Sequence, residues 1–189
     1  MIKEKLGLDD KDMNILSWYM QDPLLSQQEI ARRLQLSQPS VNMRIQKLTA
    51  RGILSFHAGL NLRTSNLIMF RVDFTAKDAH AVLQNLKNCA FFVNGFIMSG
   101  KNNVSVFLVC DDLKQVDAII NEHIRSSPQI SDISVNIVVN AAQDFPFKID
   151  LQQELSSKPC FAPGACESCG RLLEHRPSEL VKLWSKKKE

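Results

Sequence analysis

Long apolar runs are absent from this sequence of 189 residues. No stretch approaches the roughly 18 uninterrupted apolar residues that a membrane helix needs. The first twelve residues, MIKEKLGLDDKD, are charged, and they lack the apolar segment and small-residue cleavage site of a secretory signal. These absences predict a soluble protein of the cytoplasm, where thiols stay reduced.

Motifs for common catalytic chemistry are missing as well. The sequence contains no nucleophile–base pair, no phosphate-binding glycine loop and no paired-carboxylate motif. It also shows no internal repeat of longer period. We therefore expect that the protein is not an enzyme and that its residues serve binding.

Positive charge is concentrated near the N-terminus. The formal net charge of the chain is only +3, yet residues 26–63 contain six basic side chains and the single acid Glu29. Residues 67–145 contain six basic and eight acidic side chains. This asymmetry indicates a polyanionic partner for the N-terminal block.

The N-terminal block carries the start and stop signals of three short helices. Asp9 or Asp10 caps the first helix, and Ser26 opens a capping box for the second. Ser37 caps the third helix, whose core-facing stripe recurs every three to four residues. That stripe consists of Val41, Ile45 and Leu48.

The second and third predicted helices form a helix-turn-helix pattern, in which the later helix enters the major groove of DNA. Residues near the start of such a helix usually read base edges, and basic residues further along contact phosphates. The base-reading candidates are Gln38, Ser40 and Asn42, and the phosphate-binding candidates are Arg44, Lys47 and Arg51. The alternative is a solvated, charged helix face without a ligand.

The remaining pattern predicts an α+β protein. Residues 53–56 and 59–61 suit a β-hairpin wing, which completes a winged helix-turn-helix domain over residues 1–64. Apolar runs over residues 67–142 alternate in the order βαββαβ, which is the ferredoxin-like arrangement of an antiparallel sheet with two helices on one face. Residues 145–189 form a short Cys-rich extension.

These elements carry a family resemblance. The segment LDDKDMNILSWYMQDPLLSQQEIARRLQLSQPSVNMRIQKLTARGIL resembles the start of Lrp/AsnC transcription regulators, with the patterns LD..D..IL and S..EIA..L.LS...V..RI..L...GI in register. The resemblance covers residues 8 to about 140. It implies that residues 37–47, beginning at Ser37, recognise double-stranded DNA, and that the second domains pair through their sheets into homodimers that assemble further. It also implies that small effectors, commonly amino acids, bind between those domains.

The predicted effector site lies at the turn after the second strand of the βαββαβ domain. The resemblance places the neighbourhood of Gly100 near the effector cleft, with Asn102 as a candidate contact. The family often has an Asp shortly after this Gly, whereas this chain reads Gly100-Lys101-Asn102-Asn103. The effector chemistry is therefore open, and Gly100 alternatively serves only as a turn glycine.

The extension contains three cysteines within ten residues, and the family pattern does not cover them. A C-x2-C pair places two thiolates on one metal ion, and a Cys3His set suits zinc. The predicted ligands are Cys160, Cys166, Cys169 and His175. An iron–sulfur cluster is the second interpretation, because soft thiolates suit either metal. A tail with free or redox-active thiols is the third.

The sequence thus predicts a DNA-binding transcription regulator of Lrp/AsnC type, controlled by a small effector or by the cysteine cluster. The first alternative is an enzyme, because siroheme decarboxylases resemble Lrp-type proteins in both domains. That function requires His and Arg residues that converge on a cleft of the second domain, where Arg71, His80, His123 and Arg125 are present. The second alternative is a protein that only forms mixed oligomers.

Overall fold

The computed structural model describes residues 2–111 and 113–151. The chain forms two compact units; the first ends at Ala58 and the second begins at Gly59. The first unit consists of four helices: α1 (Ile2–Leu6), α2 (Asp10–Gln21), α3 (Gln27–Leu34) and α4 (Gln38–Ala50). Within the described ranges, no helix is both long and apolar enough to span a bilayer.

Three of these helices begin at the predicted caps. Asp9 accepts a hydrogen bond from the backbone N–H of Asp12 at 2.8 Å, and the Asp12 carboxylate accepts one from the N–H of Asp9 at 3.3 Å. Ser26 accepts from the N–H of Glu29 at 3.2 Å. Each bond satisfies a donor that the first helical turn leaves without a partner. The short helix α1 was not predicted.

The hydrophobic core of the first unit consists of apolar side chains from α2, α3 and α4. The predicted stripe of α4 is buried: Val41 is 0%, Ile45 8% and Leu48 1% exposed. It belongs to one apolar cluster with Ile15 of α2 and Ile30 of α3, which are both fully buried. Helix α4 is therefore fixed in rotation, and its opposite face points to solvent.

The second unit is the predicted βαββαβ arrangement. Its elements are β2 (Ile68–Ala76), α5 (Ala79–Leu86), β3 (Phe92–Ile97), β4 (Val104–Cys110), α6 (Leu113–Ile120) and β5 (Ile130–Ile137). A π-helical turn, Asn121–Arg125, extends α6. The sheet order is β3-β4-β2-β5, and all neighbouring strands are antiparallel.

Alternation along the strands decides which face of this sheet the helices cover. Phe70, Val72 and Phe74 of β2 are fully buried and share one cluster with Val82 of α5 and with apolar residues of α6. Because successive strand residues point to opposite faces, Arg71 lies on the face away from the helices. The ferredoxin-like prediction is confirmed.

The predicted wing hairpin does not form within the described residues. Instead, β1 (Leu60–Asn61) pairs with β6 (Pro146–Phe147), a segment more than eighty residues away. Phe147 is 4% exposed and packs in one cluster with Met69 and Val109. A Cβ atom on Gly59 would lie 2.6 Å from the Phe147 carbonyl oxygen, so the pairing needs glycine there. The second unit thus includes β1 and β6, which the predicted boundaries at 64 and 145 had left outside it.

Candidate nucleic-acid interface

A tight turn joins α3 to α4. Gln35 has a left-handed backbone with φ 52°, which few residues other than glycine adopt. The N–H of Leu36 donates to the carbonyl of Ala31 at 3.0 Å, which closes the end of α3. Helix α4 then begins after only one further residue, Ser37. This is the predicted helix-turn-helix connection.

The first turn of α4 is held by two serines. Ser37 accepts a hydrogen bond from the N–H of Ser40 at 3.4 Å, and the two hydroxyl oxygens are 2.8 Å apart. Pro39 lies in the same turn, where its missing N–H leaves no helical bond unmade. Both hydroxyl groups therefore stabilise the first turn of α4. Gln38, which lies between them in sequence, is exposed.

The face of α4 opposite its buried stripe differs from the predicted set of DNA-contacting residues. At about 100° per residue, the positions farthest around the helix from the buried stripe are those at 39, 43, 46, 47 and 50. Met43 is 66% exposed, and Gln46 and Lys47 are exposed as well. Asn42 is half-buried on the flank. We call Pro39, Met43, Gln46, Lys47 and Ala50 the outward face. Of these, only Lys47 was among the predicted DNA contacts.

Arg44 is engaged inside the first unit. Its Nη1 atom lies 2.7 Å from an Asp9 carboxylate oxygen and 2.6 Å from one of Asp12, and its side chain is 29% exposed. Hydrogen bonds to Asp12 and Asp9 raise the pKa of Arg44. The guanidinium therefore ties α4 to the N-terminal cap of α2. Its contact with phosphate stays a prediction, and these two aspartates compete for it.

The two other predicted phosphate ligands differ from each other. Arg51 donates from Nη2 to the carbonyl oxygen of Leu6, so it holds the end of α1. Lys47 lies on the outward face and forms no ion pair within the part of the chain that the structure describes. Lys47 is thus the basic side chain of α4 best placed for an external anion.

Helix α3 also contains basic side chains, two arginines that pair with a glutamate of the same helix. Glu29 accepts from Arg32 at 2.8 Å and from Arg33 at 2.7 Å, rather than completing its capping box. Hydrogen bonds from Arg32 and then Arg33 lower the pKa of Glu29 to about 2. The Arg33 guanidinium also lies 5.3 Å from the centre of the Trp18 ring. One carboxylate therefore faces two guanidinium groups, so α3 keeps a net charge of +1.

Side chains of the predicted effector turn contact a residue of the neighbouring strand β5. Gly100 has φ +149°, a conformation that favours glycine. The Asn102 side chain donates to the carbonyl of Asp132 at 3.3 Å, and Lys101 Nζ lies 3.8 Å from an Asp132 carboxylate oxygen. The fold thus brings a carboxylate of β5 to the turn that lacks one in sequence. Sequence reasoning missed Asp132 because it lies thirty residues further along the chain.

The residues that an enzyme would need lie on two sides of the sheet. Arg71 pairs with Asp73 at 2.9 Å on the face away from the helices. His80 and Arg125 are exposed in the helical layer, and Arg125 lies 3.5 Å from Asp117. Burial lowers the pKa of His123 in the same layer. The structure therefore does not bring these four residues to one cleft.

The predicted metal ligands, Cys160, Cys166, Cys169 and His175, lie outside the described residues.

Known proteins share both the helix-turn-helix connection and the fold of this chain. Residues 8–55 match a family model described as winged helix-turn-helix, DNA-binding. The structure of Escherichia coli AsnC superposes with a TM-score of 0.63 and 16% identity, over 72% of this chain and 95% of AsnC. This chain has the Lrp/AsnC fold. Bacillus subtilis LrpC gives a TM-score of 0.62 at 22% identity, over 72% of this chain and 97% of LrpC.

A third structure with the Lrp/AsnC fold is a transcriptional regulator from Neisseria meningitidis in complex with L-Met. It gives a TM-score of 0.62 at 18% identity, over 72% of this chain and 92% of that protein. No curated protein matches this sequence significantly. The resemblance drawn from the sequence motifs is confirmed at the level of fold.

Proposed function

We propose that this protein is a cytoplasmic transcription regulator that binds specific sequences of double-stranded DNA through α4. The observation that carries the proposal is the outward face of α4, which is exposed immediately after a helix-turn-helix connection. A helix presented in this way fits the major groove, which is wide enough to admit it.

The fold supports a homodimer as the DNA-binding form. The sheet face away from the helices carries the exposed Phe96, whose ring lies 6.2 Å from that of Phe107. Aromatic side chains are typical of protein interfaces. A dimer joined through this face would carry two α4 helices, one for each half-site.

Lys47 provides the sharpest test of the proposed interface. Each phosphate contact contributes about 0.9 to the slope of log affinity against log salt concentration, because binding releases condensed counterions. Lys47→Ala is expected to reduce that slope by about twice this amount in anisotropy titrations with duplex DNA, because the proposed dimer carries two copies of Lys47. Lys11→Ala, which removes an exposed charge from α2, is the matched control and should leave the slope unchanged. Equal slopes for the Lys47 variant and the native chain would contradict the proposed role of α4.

We further propose that a small molecule binds near Gly100 and Asn102 and tunes DNA affinity. The Asp132 carboxylate, which lies 3.8 Å from Lys101 Nζ, would suit the ammonium group of an effector that displaces this lysine. The L-Met complex of the Neisseria regulator, which has the same fold, supports an effector of amino-acid type.

We also propose that Cys160, Cys166, Cys169 and His175 bind zinc. The support is the donor set itself, since three thiolates and an imidazole match the ligands of structural zinc sites. Elemental analysis of protein purified without oxygen is expected to give about one zinc per chain with no visible absorption band, and Cys166→Ser should lose the metal. Iron with sulfide and a brown colour would instead indicate an iron–sulfur cluster at these residues. Unchanged metal content in the variant would rule out this ligand set.

A further inference from the structure

The outward face of α4 has an unusual chemistry for a surface that binds a polyanion. Its one cation is Lys47, and Arg44, which lies on the neighbouring side of the helix, is held by Asp9 and Asp12. Its centre is Met43, whose thioether side chain is 66% exposed to water. Gln46, one turn further along, is also exposed. The apolar side chain of Met43 cannot pair with a phosphate, so this face offers a contact that charge does not explain.

We propose that Met43 and Gln46 read A·T base pairs, with Met43 packing against the C5-methyl group of thymine. This inference rests on the proposed function and adds the base preference and the residues that determine it. In the major groove, thymine alone presents a methyl group, and apolar side chains recognise it by contact. Methionine suits that contact because its flexible, polarisable chain adapts to irregular surfaces.

Gln46 extends the same preference. An amide side chain can donate to N7 of adenine and accept from the N6 amino group of the same base. No other base offers this acceptor and donor in that order. Residues three apart on a helix are neighbours on its surface, so Met43 and Gln46 would meet adjacent base pairs. The half-buried Asn42 flanks them, while Ser37 and Ser40 use their hydroxyl groups to start the helix.

The experiment removes the methyl group from the DNA. The full chain first selects its preferred duplex from a random pool, and each thymine of that duplex is then replaced by deoxyuridine in turn. Loss of one buried methyl group is expected to weaken binding by the native chain about fourfold at one thymine per half-site. Met43→Ala should show less than a twofold change at that same thymine.

Met20→Ala is the matched control. Met20 is 81% exposed on α2, so its truncation has the same chemistry outside α4. This variant should keep the full sensitivity to uracil. The same comparison with 7-deazaadenine, which lacks N7, tests Gln46→Ala.

The outcomes separate the two proposals. A specific duplex whose uracil substitutions affect the native chain and Met43→Ala equally would overturn the role of Met43 and leave the proposed function intact. Failure to select any duplex would overturn the proposed function, and the base preference with it. A uracil effect that disappears only in Met43→Ala would establish the contact.

Discussion

Leu48→Ala is expected to lower the unfolding free energy of the first unit by about 3 kcal/mol, because large-to-small changes in a packed core lose burial and leave a cavity. Leu48 is 1% exposed and lies in the stripe that fixes the rotation of α4. Urea denaturation followed by Trp18 fluorescence, in a Trp184→Phe background, measures the change. DNA binding should fall with it, since the outward face depends on that packing.

Met43→Ala is the control for this core variant. The two residues lie on the same helix, but Met43 is exposed and belongs to the opposite face. Its truncation should change the unfolding free energy by less than about 0.5 kcal/mol, as is usual for surface positions. Equal stability effects of the two variants would contradict an α4 helix that buries Leu48 and exposes Met43.

Arg44→Met is expected to destabilise the first unit by about 1–2 kcal/mol, a value between those of exposed and buried ion pairs. Methionine keeps much of the aliphatic length but leaves the carboxylates of Asp9 and Asp12 without their shared cation. The same urea titration measures the loss. Combining Arg44→Met with Asp9→Asn and Asp12→Asn should recover part of it, because the unpaired charges are then gone.

The pH dependence of the Arg44 variant follows from Asp9. The hydrogen bond from the Asp12 N–H, and then the Arg44 side chain, hold the pKa of Asp9 below its ordinary value of 3.8. A lowered carboxylate pKa adds stability above the unfolded-state value, and this contribution is lost as pH falls through the folded-state value. The stability difference between the native chain and Arg44→Met should therefore shrink below pH 3.8. A variant that keeps its stability at all pH values but loses DNA affinity would instead make Arg44 a phosphate ligand.

Local signals in the sequence predicted most of the first unit. The caps at Asp9, Ser26 and Ser37 act over three or four residues, so they are readable without knowledge of the fold. The rotation of α4 also followed from its apolar stripe. The ion pairs of Arg44 could not be predicted from the sequence, because their carboxylates lie 32 and 35 residues away, in α2 and at its N-cap.

Long-range pairing explains the other difference between prediction and structure. The strand β1 contains two residues and has no periodicity of its own, so residues 59–61 were assigned to a wing hairpin. Its partner β6 lies beyond the last predicted strand, and burial of Phe147 against Met69 and Val109 accompanies the pairing. Asp132 at the effector turn is a similar case, since only the sheet register brings β5 beside that turn.

Selection of DNA by the full chain from a random duplex pool tests whether α4 confers sequence-specific binding. The selected duplexes are expected to converge on one motif, bound about a thousandfold or more tightly than a scrambled duplex at physiological salt. The motif should contain A·T pairs at the positions that face α4. Equal affinity for the selected and scrambled duplexes would contradict sequence-specific binding through α4.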